Sequence, residues 1–243
     1  SFSAYITSKG DTAFSLGHLG MMLIKKDGVV RNSSMGQIFG IAEDRRGDLW
    51  MASWSYQNRD MKEGIFKYDG RTFTNYQKSF GITDKEIWTV YYDKEQDVLW
   101  IGTTNEGLFR VNFSSITRFP SSYFGQDDNP INDLFVDSNN ILWIATRKEL
   151  IQMKPDGSYS FMSKHPMILE FRNYWKKLNR IPQAQIDMTT KKARRLDNSD
   201  LGQFEKQTDF EYQRITGDSV QSIIFSNRFG LYHYNKKDNK IKF

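Results

Sequence analysis

The residues best suited to chemistry are aromatic, basic and polar side chains in short segments between apolar runs. Tryptophan and tyrosine rings can stack on a sugar or another planar group, and an arginine can pair with an anion through two parallel hydrogen bonds. The candidate ligand-binding residues are His18, Trp54, Tyr56, Arg59, Asn105, Glu106, Arg147 and Arg228. These residue types favour recognition of a carbohydrate or a small anionic ligand.

Metal and cofactor chemistry has little support in the sequence. The three histidines are far apart and lack the spacing of metal ligands, and the absence of cysteine excludes thiolate nucleophiles, cysteine-ligated zinc and disulfides. The motifs of phosphate-binding loops, dinucleotide-binding folds, serine hydrolases and zinc proteases are also missing. We therefore expect no metal site, no catalytic residue and no cofactor.

A glycan-cleaving enzyme is an alternative, because two carboxylates suffice for glycoside hydrolysis. Glu43 and Asp44 form one such pair, but Asp44, Asp93 and Asp137 recur at equivalent turns, which favours a structural role. An enzyme would need other groups that converge across a channel. The available candidates are His18, Tyr56, Glu106 and Glu149.

Internal repeats define the elements that position these loops. Each repeat has an apolar strand, an acidic turn, Leu-Trp and small residues, and then an apolar-aromatic strand. The clear copies begin with Ile38–Ser53, Ile87–Thr103 and Ile131–Thr146. Their Trp residues, Trp50, Trp100 and Trp143, are 50 and 43 residues apart, the period of a four-stranded propeller blade. We expect each Trp to lie between adjacent blades.

Two weaker copies complete the repeats. They are Ser3–Thr7, Ala13–Leu16 and Gly20–Gly28 at the start, and Gly230–Asn235 with Ile241–Phe243 at the end. An alternative register of the last copy makes Val220 and Ile223 part of an innermost strand. The preferred register predicts an all-β fold, a β-propeller of five four-stranded blades that forms a single domain over residues 1–243.

Residues 164–207 interrupt the repeats between blades four and five. The segment has ten Lys or Arg and five Asp or Glu, so its net charge of +5 equals that of the whole chain. Apolar spacing over Leu169–Leu178 predicts a helix that ends by Pro182, followed by the polar tract Thr189–Ser199. The basic cluster Lys191–Arg195 could contact phosphates, but its shortness favours a solvated face, and we expect no nucleic-acid partner.

Blade topology places the candidate residues and the insertion together. Because neighbouring strands in a blade are antiparallel, the loops between second and third strands emerge on the same face as the links between blades. The candidate residues lie in the loops between second and third strands, and the insertion is the link between blades four and five. We therefore expect the 164–207 insertion on the channel-mouth face, as a cover over the ligand.

The chain contains no apolar run of the length that crosses a bilayer, and its first residues lack the basic and apolar regions of a signal peptide. We expect no membrane segment in this chain. Either the protein is cytosolic, or such segments were removed from it.

The repeats resemble the two-component regulator propeller repeat, found in periplasmic sensor regions of hybrid two-component systems. The string Ile-x-x-Ile-x-x-Asp-x-x-Gly-x-Leu-Trp-Ile-Gly-Thr, followed by Gly-Leu-Phe-Arg, is carried by the three clear copies, with Gly64–Tyr68 and Gly107–Val111. The resemblance implies an extracytoplasmic ligand sensor, often for glycan fragments. This chain departs from it, because such sensors have two larger propellers and a signalling module.

Together these observations predict a non-enzymatic binding or sensor propeller, periplasmic or secreted, whose ligand is a small molecule or an oligosaccharide. Its partner could be a signalling module or another protein. The alternatives are a polysaccharide hydrolase or lyase of propeller fold, and a protein-interaction scaffold. The chain is either a fragment of a sensor or a secreted propeller that stands alone.

Overall fold

A computed structural model describes residues 3–54, 62–125, 129–169, 184–187, 192–195, 212–217, 221–227 and 230–242. These residues form five four-stranded antiparallel sheets and one two-stranded sheet. The expected all-β propeller with five four-stranded blades is therefore confirmed.

Each blade uses four strands in chain order. Blade 1 contains β1 (Ala4–Ile6), β2 (Thr12–Ser15), β3 (Met21–Lys25) and β4 (Gly28–Asn32). Blade 2 contains β5 (Gln37–Glu43), β6 (Leu49–Trp54), β7 (Gly64–Tyr68) and β8 (Phe73–Asn75). Blade 3 contains β9 (Ile87–Asp93), β10 (Val98–Thr103), β11 (Leu108–Asn112) and β12 (Ser115–Phe119). Blade 4 contains β13 (Ile131–Val136), β14 (Leu142–Thr146), β15 (Leu150–Met153) and β16 (Tyr159–Phe161).

The two remaining sheets come from the last third of the chain. A hairpin pairs β17 (Ala184–Asp187) with β18 (Lys192–Arg195). Blade 5 contains β19 (Tyr212–Gly217), β20 (Ser222–Asn227), β21 (Gly230–Asn235) and β22 (Lys240–Lys242). Short 3-10 helices occupy Gly17–Leu19, Ser121–Phe124 and Met162–Lys164.

The first strand of each blade lies toward the centre of the propeller. Strand β1 contacts β5, β5 contacts β9, β9 contacts β13, and β13 contacts β19. The fourth strand of each sheet lies at its other edge. The inner strands consequently lie side by side at the centre of the propeller.

Hydrophobic clusters join consecutive blades, and a tryptophan lies in three of them. Trp50 is 1% exposed and shares a cluster with Val90 and Leu99 of blade 3, while Trp143 shares one with blade 5. Trp100 packs in the same way with residues of blade 4. Since full burial of a large apolar side chain contributes roughly 1.5–3 kcal/mol, these wedges are a major part of the cohesion between blades.

The recurrent aspartates fix the turns between first and second strands, as the repeats predict. Asp44 Oδ1 accepts hydrogen bonds from the backbone N–H groups of Arg46 and Asp48, and its Oδ2 accepts the indole N–H of Trp50 at 3.0 Å. Asp137 and Trp143 repeat this arrangement, also at 3.0 Å. These carboxylates are structural because their acceptor positions are already used.

The last blade adopts the preferred register. Ile223 lies on the second strand, β20, where it pairs with Tyr234 of β21, so the alternative with Ile223 on an innermost strand is wrong. His233 lies on β21, half-buried, with its Nε2 2.9 Å from Ser222 Oγ. This histidine is part of the blade.

The insertion connects β16 of blade 4 to β19 of blade 5, as expected. Of its residues the structure describes 164–169 and the β17–β18 hairpin. The predicted helix over Leu169–Leu178 lies outside the described residues except for its first residue. Strand β18 falls within the predicted polar tract Thr189–Ser199.

Candidate functional site

The repeated Ile-x-x-apolar spacing in blades 2 to 4 indicates an irregularity in their inner strands. Residues three apart on a regular strand face opposite sides, yet Ile87 and Val90 are both buried, and so are Ile131 and Leu134. Strand pairing shows how this is possible. In blades 2 to 5 the first strand contains a β-bulge, so one residue has no partner on the second strand.

The four bulged residues occupy equivalent positions around the centre. They are Phe39, Trp88, Asn132 and Gln213. We call this set the bulge ring. It lies near the beginning of each inner strand, at the end of the blade where the second strand finishes and the loop to the third strand begins. The bulge ring therefore lies at the end of the inner strands that carries the candidate loops, and we call this end the channel mouth.

Three aromatic side chains meet on one side of the bulge ring. The ring centroids of Phe39 and Trp88 are 4.7 Å apart, and Trp54 lies 5.8 Å from Phe39 and 5.2 Å from Trp88. Phe39 is buried, whereas Trp54 and Trp88 are half-buried. This mouth cluster gives a rigid aromatic surface that is partly open to solvent.

Hydrogen bonds orient the mouth cluster. The indole N–H of Trp88 donates to Thr104 Oγ1 at 2.6 Å, and the Thr104 hydroxyl donates to Glu86 Oε2 at 2.9 Å. The chain of donors and acceptors holds the Trp88 ring against its neighbours. A fixed ring loses little conformational entropy when a ligand stacks on it.

Asp133 follows the bulge of blade 4 and ties three inner strands together. Its Oδ2 accepts the backbone N–H of Ile215 in blade 5 at 3.0 Å, and its Oδ1 is 3.4 Å from Thr89 Oγ1 in blade 3. Burial raises the pKa of Asp133, while the hydrogen bond from Ile215 and the nearby charge of Arg214 oppose that rise. The aspartate makes this part of the mouth rigid.

The predicted residues Asn105 and Glu106 hold a loop in place. Glu106 Oε2 accepts the backbone N–H groups of Thr83 and Asp84, both at 2.8 Å, and its Oε1 accepts the Thr83 hydroxyl at 2.9 Å. Asn105 donates its backbone N–H to Asp84 Oδ2 at 2.6 Å. These side chains join the loop between β10 and β11 to the link from blade 2 to blade 3.

The structure describes three of the other six predicted site residues. Trp54 belongs to the mouth cluster. Arg147 is exposed directly after β14, and its backbone N–H donates to Pro130 O at 3.3 Å. His18 lies in the 3-10 helix that connects β2 to β3, which is the loop type expected for it. Outside the described residues lie Tyr56, Arg59 and Arg228.

Sequence reasoning missed Phe39, Trp88 and Asn132. The signal was available, because a three-residue spacing between buried residues conflicts with the two-residue period of a strand. A bulge resolves the conflict and gives the extra residue a different direction. In each Ile-x-x-apolar unit, the repeats therefore indicated that one of the two residues between the apolar positions lies on a bulge and is a candidate site residue.

A cavity of about 410 Å³ lies at the opposite end of the inner strands. Its lining includes Tyr5, Tyr91 and Phe135, with Glu43 and Asp137. Glu43 accepts hydrogen bonds from the backbone N–H and hydroxyl of Ser8, each at 2.8 Å, which joins blade 2 to blade 1. Burial raises the pKa of Tyr5 and of Tyr91, and nearby carboxylates contribute.

The described residues contain neither a membrane-spanning helix nor a cluster of metal-binding side chains. Within that part of the chain, no helix has the length and apolar character needed to cross a membrane. The same residues contain no group of three or more histidine, aspartate or glutamate side chains that could hold a metal ion.

The fold and the site define a five-bladed propeller in which the inner strands of blades 2 to 5 are bulged at the channel mouth. Comparison with known proteins identifies the repeat. Residues 125–148 match the family described as Two component regulator propeller, so the chain carries a repeat of that type, and the resemblance seen in its sequence is confirmed.

A curated relative and solved structures are similar to the chain over limited parts of their own length. Histidine kinase P4 of Formosa agariphila is 30% identical over 95 residues, which is 35% of this chain and 7% of that protein. The extracellular domain of a one component system from B. thetaiotaomicron has a TM-score of 0.63 and 14% identity, over 99% of this chain and 29% of that one.

A third similar protein is an enzyme. The GH74 xyloglucanase from Xanthomonas campestris has a TM-score of 0.60 and 12% identity, over 100% of this chain and 39% of that one. Identities this low show a shared fold. The chain spans less than a third of the kinase and of the bacterial extracellular domain.

Proposed function

We propose that the chain is the ligand-binding propeller of an extracytoplasmic sensor, and that its channel mouth binds a carbohydrate without cleaving it. The observation that carries the proposal is the mouth cluster of Phe39, Trp54 and Trp88 on a ring of bulged residues. The regulator-type repeat over residues 125–148 and the similarity to a histidine kinase support a role in signalling.

The chemistry of the mouth suits a sugar. The faces of Trp54 and Trp88 can stack on the C–H face of a pyranose ring, and the half-buried amide side chain of Asn132 and the exposed one of Gln213 can bond to sugar hydroxyls. Arg147, exposed after β14, could pair with a carboxylate or sulfate on such a ligand. Trp88, Asn132 and Gln213 lie on inner strands and Trp54 lies on the neighbouring strand β6, and groups held by a sheet lower the entropic cost of binding.

The hydrolase alternative has weaker support from the same geometry. Glu106, its principal candidate acid, accepts three hydrogen bonds that hold Thr83 and Asp84. A carboxylate engaged in this way is poorly placed to give a proton to a leaving group. The binding function therefore accounts better for the mouth.

Isothermal titration calorimetry with a panel of neutral oligosaccharides, acidic oligosaccharides and small anions tests this function. Trp54→Ala and Trp88→Ala are expected to weaken sugar binding about tenfold or more, since each removes a stacking surface worth roughly 1.5 kcal/mol. Arg147→Ala should weaken only the acidic ligands. Phe73→Ala, on the outer strand β8, is the control for aromatic loss outside the mouth.

Three outcomes overturn the proposal. The first is the absence of binding by every sugar in the panel, and the second is wild-type affinity in Trp54→Ala, with thermal melts showing that the variant is folded. The third is the release of shorter products during incubation, which would make the protein a hydrolase or lyase.

The 164–207 insertion, with its net charge of +5, is proposed as the cover of the mouth. It connects the outer strand of blade 4 to the inner strand of blade 5, and this connection supports an exit on the mouth face. Replacing residues 170–207 with a flexible Gly-Ser linker should speed sugar dissociation in stopped-flow measurements. An unchanged dissociation rate in the folded variant would exclude the cover.

A further inference from the structure

The three tryptophan-bearing blades differ at one buried contact. In blades 2 and 4 the indole N–H groups of Trp50 and Trp143 donate to an aspartate Oδ2 of the same blade. In blade 3 neither Trp100 Nε1 nor Asp93 Oδ2 has a hydrogen-bond partner among the described residues, although both atoms are buried. Blade 3 therefore has a buried donor that the fold does not use.

A longer turn explains the difference. Asp44 and Asp137 precede their tryptophans by six residues, whereas Asp93 precedes Trp100 by seven. The extra length is taken up in a turn where Asp97 has a φ of 56° and accepts a hydrogen bond from the Tyr92 hydroxyl. The direct aspartate–tryptophan bond is lost as a result.

Blades 2 and 3 also differ in whether the basic residue opposite the tryptophan forms an ion pair. Lys67 pairs with Trp50 across β6 and β7, and its Nζ is 2.6 Å from Asp48 and 3.7 Å from Asp44. Arg110 occupies the equivalent position opposite Trp100, with its guanidinium 5.8 Å from the indole centroid. Within the described part of the chain Arg110 forms no ion pair, although it is half-buried.

Trp100 and Arg110 both line a cavity of about 390 Å³ between blades 3 and 4. We call it the blade 3/4 groove; its other lining residues include Phe119, Tyr123 and Lys154. Asp156 is the carboxylate in this lining, and its Oδ1 accepts both the backbone N–H and the hydroxyl of Ser158. The groove is thus rich in cationic donors and aromatic surface.

We propose that the blade 3/4 groove binds a small organic anion through its carboxylate or sulfate group. The anion pairs with the Arg110 guanidinium, which lies over the Trp100 indole ring, while its carbon skeleton lies against Phe119. A guanidinium stacked on an indole ring is already oriented and is less hydrated than an ammonium, which favours a bidentate pair with an oxyanion. The groove is separate from the channel mouth.

Titrations of the 243-residue chain in chloride buffer test this site with sodium glucuronate, sodium acetate and sodium sulfate, with glucose as the neutral control. Glucuronate should bind in calorimetry and raise the melting temperature, and glucose should not. Comparison of acetate with sulfate distinguishes a carboxylate site from a sulfate site.

Arg110→Gln is expected to weaken glucuronate binding at least tenfold, and Trp100→Phe should weaken it less. Lys67→Gln, at the equivalent position of blade 2, is the matched control and should bind as the wild type does. Because Trp54→Ala leaves the groove intact, its glucuronate response should persist. This result separates the groove from the proposed mouth site.

The proposal is overturned if none of the three anions binds, or if folded Arg110→Gln binds glucuronate with wild-type affinity. Loss of glucuronate binding in Arg147→Ala, with Arg110→Gln unaffected, would assign the anion to the channel mouth instead. Thermal melts of each variant without ligand show that the comparison is between folded proteins.

Discussion

Trp50 and Trp143 donate their indole N–H groups to buried aspartates, and Trp100 packs in an equivalent position without that bond. Comparison of the three side chains thus distinguishes the contribution of apolar burial to stability from that of the hydrogen bond. All three bury a large apolar surface between blades, but only two also satisfy a buried carboxylate. In blade 4, Asp137 Oδ2 also accepts a hydrogen bond from Lys236 Nζ of blade 5 at 3.1 Å. This aspartate therefore links two blades.

Replacing each tryptophan with phenylalanine and comparing the losses of stability measures the contribution of the hydrogen bond. Trp143→Phe and Trp100→Phe both remove indole volume from a buried position, but only Trp143→Phe leaves an aspartate oxygen without its indole donor. We expect Trp143→Phe to lower the free energy of unfolding by about 1–3 kcal/mol more than Trp100→Phe does. Urea unfolding in chloride buffer measures both, and equal losses would contradict the role assigned to the bond.

Buried tyrosines make the protein sensitive to alkali. Burial and the hydrogen bond to Asp97 raise the pKa of Tyr92 from 10.0 to about 12. Between these values the unfolded chain releases the phenolic proton and the folded protein keeps it, so the free energy of unfolding falls as pH rises. Urea unfolding between about pH 9 and 12 should show this decline, and it should be shallower in Tyr92→Phe. An equally steep decline in that variant would exclude Tyr92 as a source.

At the scale of strands, the bulges decide what reaches the channel mouth. Each bulge adds one residue to an inner strand, so buried residues on both sides of it can face the core while the extra side chain takes another direction. Gly40 follows the bulge of blade 2, where a Cβ would lie 2.8 Å from Val90 N and 3.1 Å from Thr89 Cα. Blades 2 and 3 can approach this closely because the residue is glycine.

Gly40→Ala tests that approach. The added methyl group meets backbone atoms, which cannot move independently, so we expect a loss of about 1–3 kcal/mol in the free energy of unfolding. Near-ultraviolet circular dichroism should also change, because Phe39 and Trp88 are displaced from each other. Gly81→Ala, where a Cβ would have open space but φ is +69°, is the control and should leave the aromatic signal intact. An unaltered signal in Gly40→Ala would contradict the close contact.

The strands were predictable from the sequence because each carries its own information. Apolar and aromatic runs alternate with Asp, Gly and Asn at turns, and the structure places Gly47 and Asn140 at positive φ as the repeats require. The site was only partly predictable. Asn105 and Glu106 have their partners, Thr83 and Asp84, about 20 residues earlier in a different link, which spacing along the chain does not reveal.

At the scale of the whole molecule, five similar blades give different surfaces from one repeat. The bulge positions change from Phe39 and Trp88 to Asn132 and Gln213 around the centre, so one side of the mouth is aromatic and the other carries amides. The interblade contacts change as well, and the longer turn of blade 3 accompanies the blade 3/4 groove. Repetition supports the fold, while departures from it mark the proposed sites.

Fluorine nuclear magnetic resonance of the protein labelled with 5-fluorotryptophan tests the central claim most directly. The chain has six tryptophans, and single Trp→Phe variants assign their signals. Titration with the neutral oligosaccharide that binds most tightly in calorimetry should shift the signals of Trp54 and Trp88, which form the mouth cluster. The signals of Trp50 and Trp143, buried between blades, should stay in place. Binding that leaves Trp54 and Trp88 unshifted would contradict carbohydrate recognition at the channel mouth.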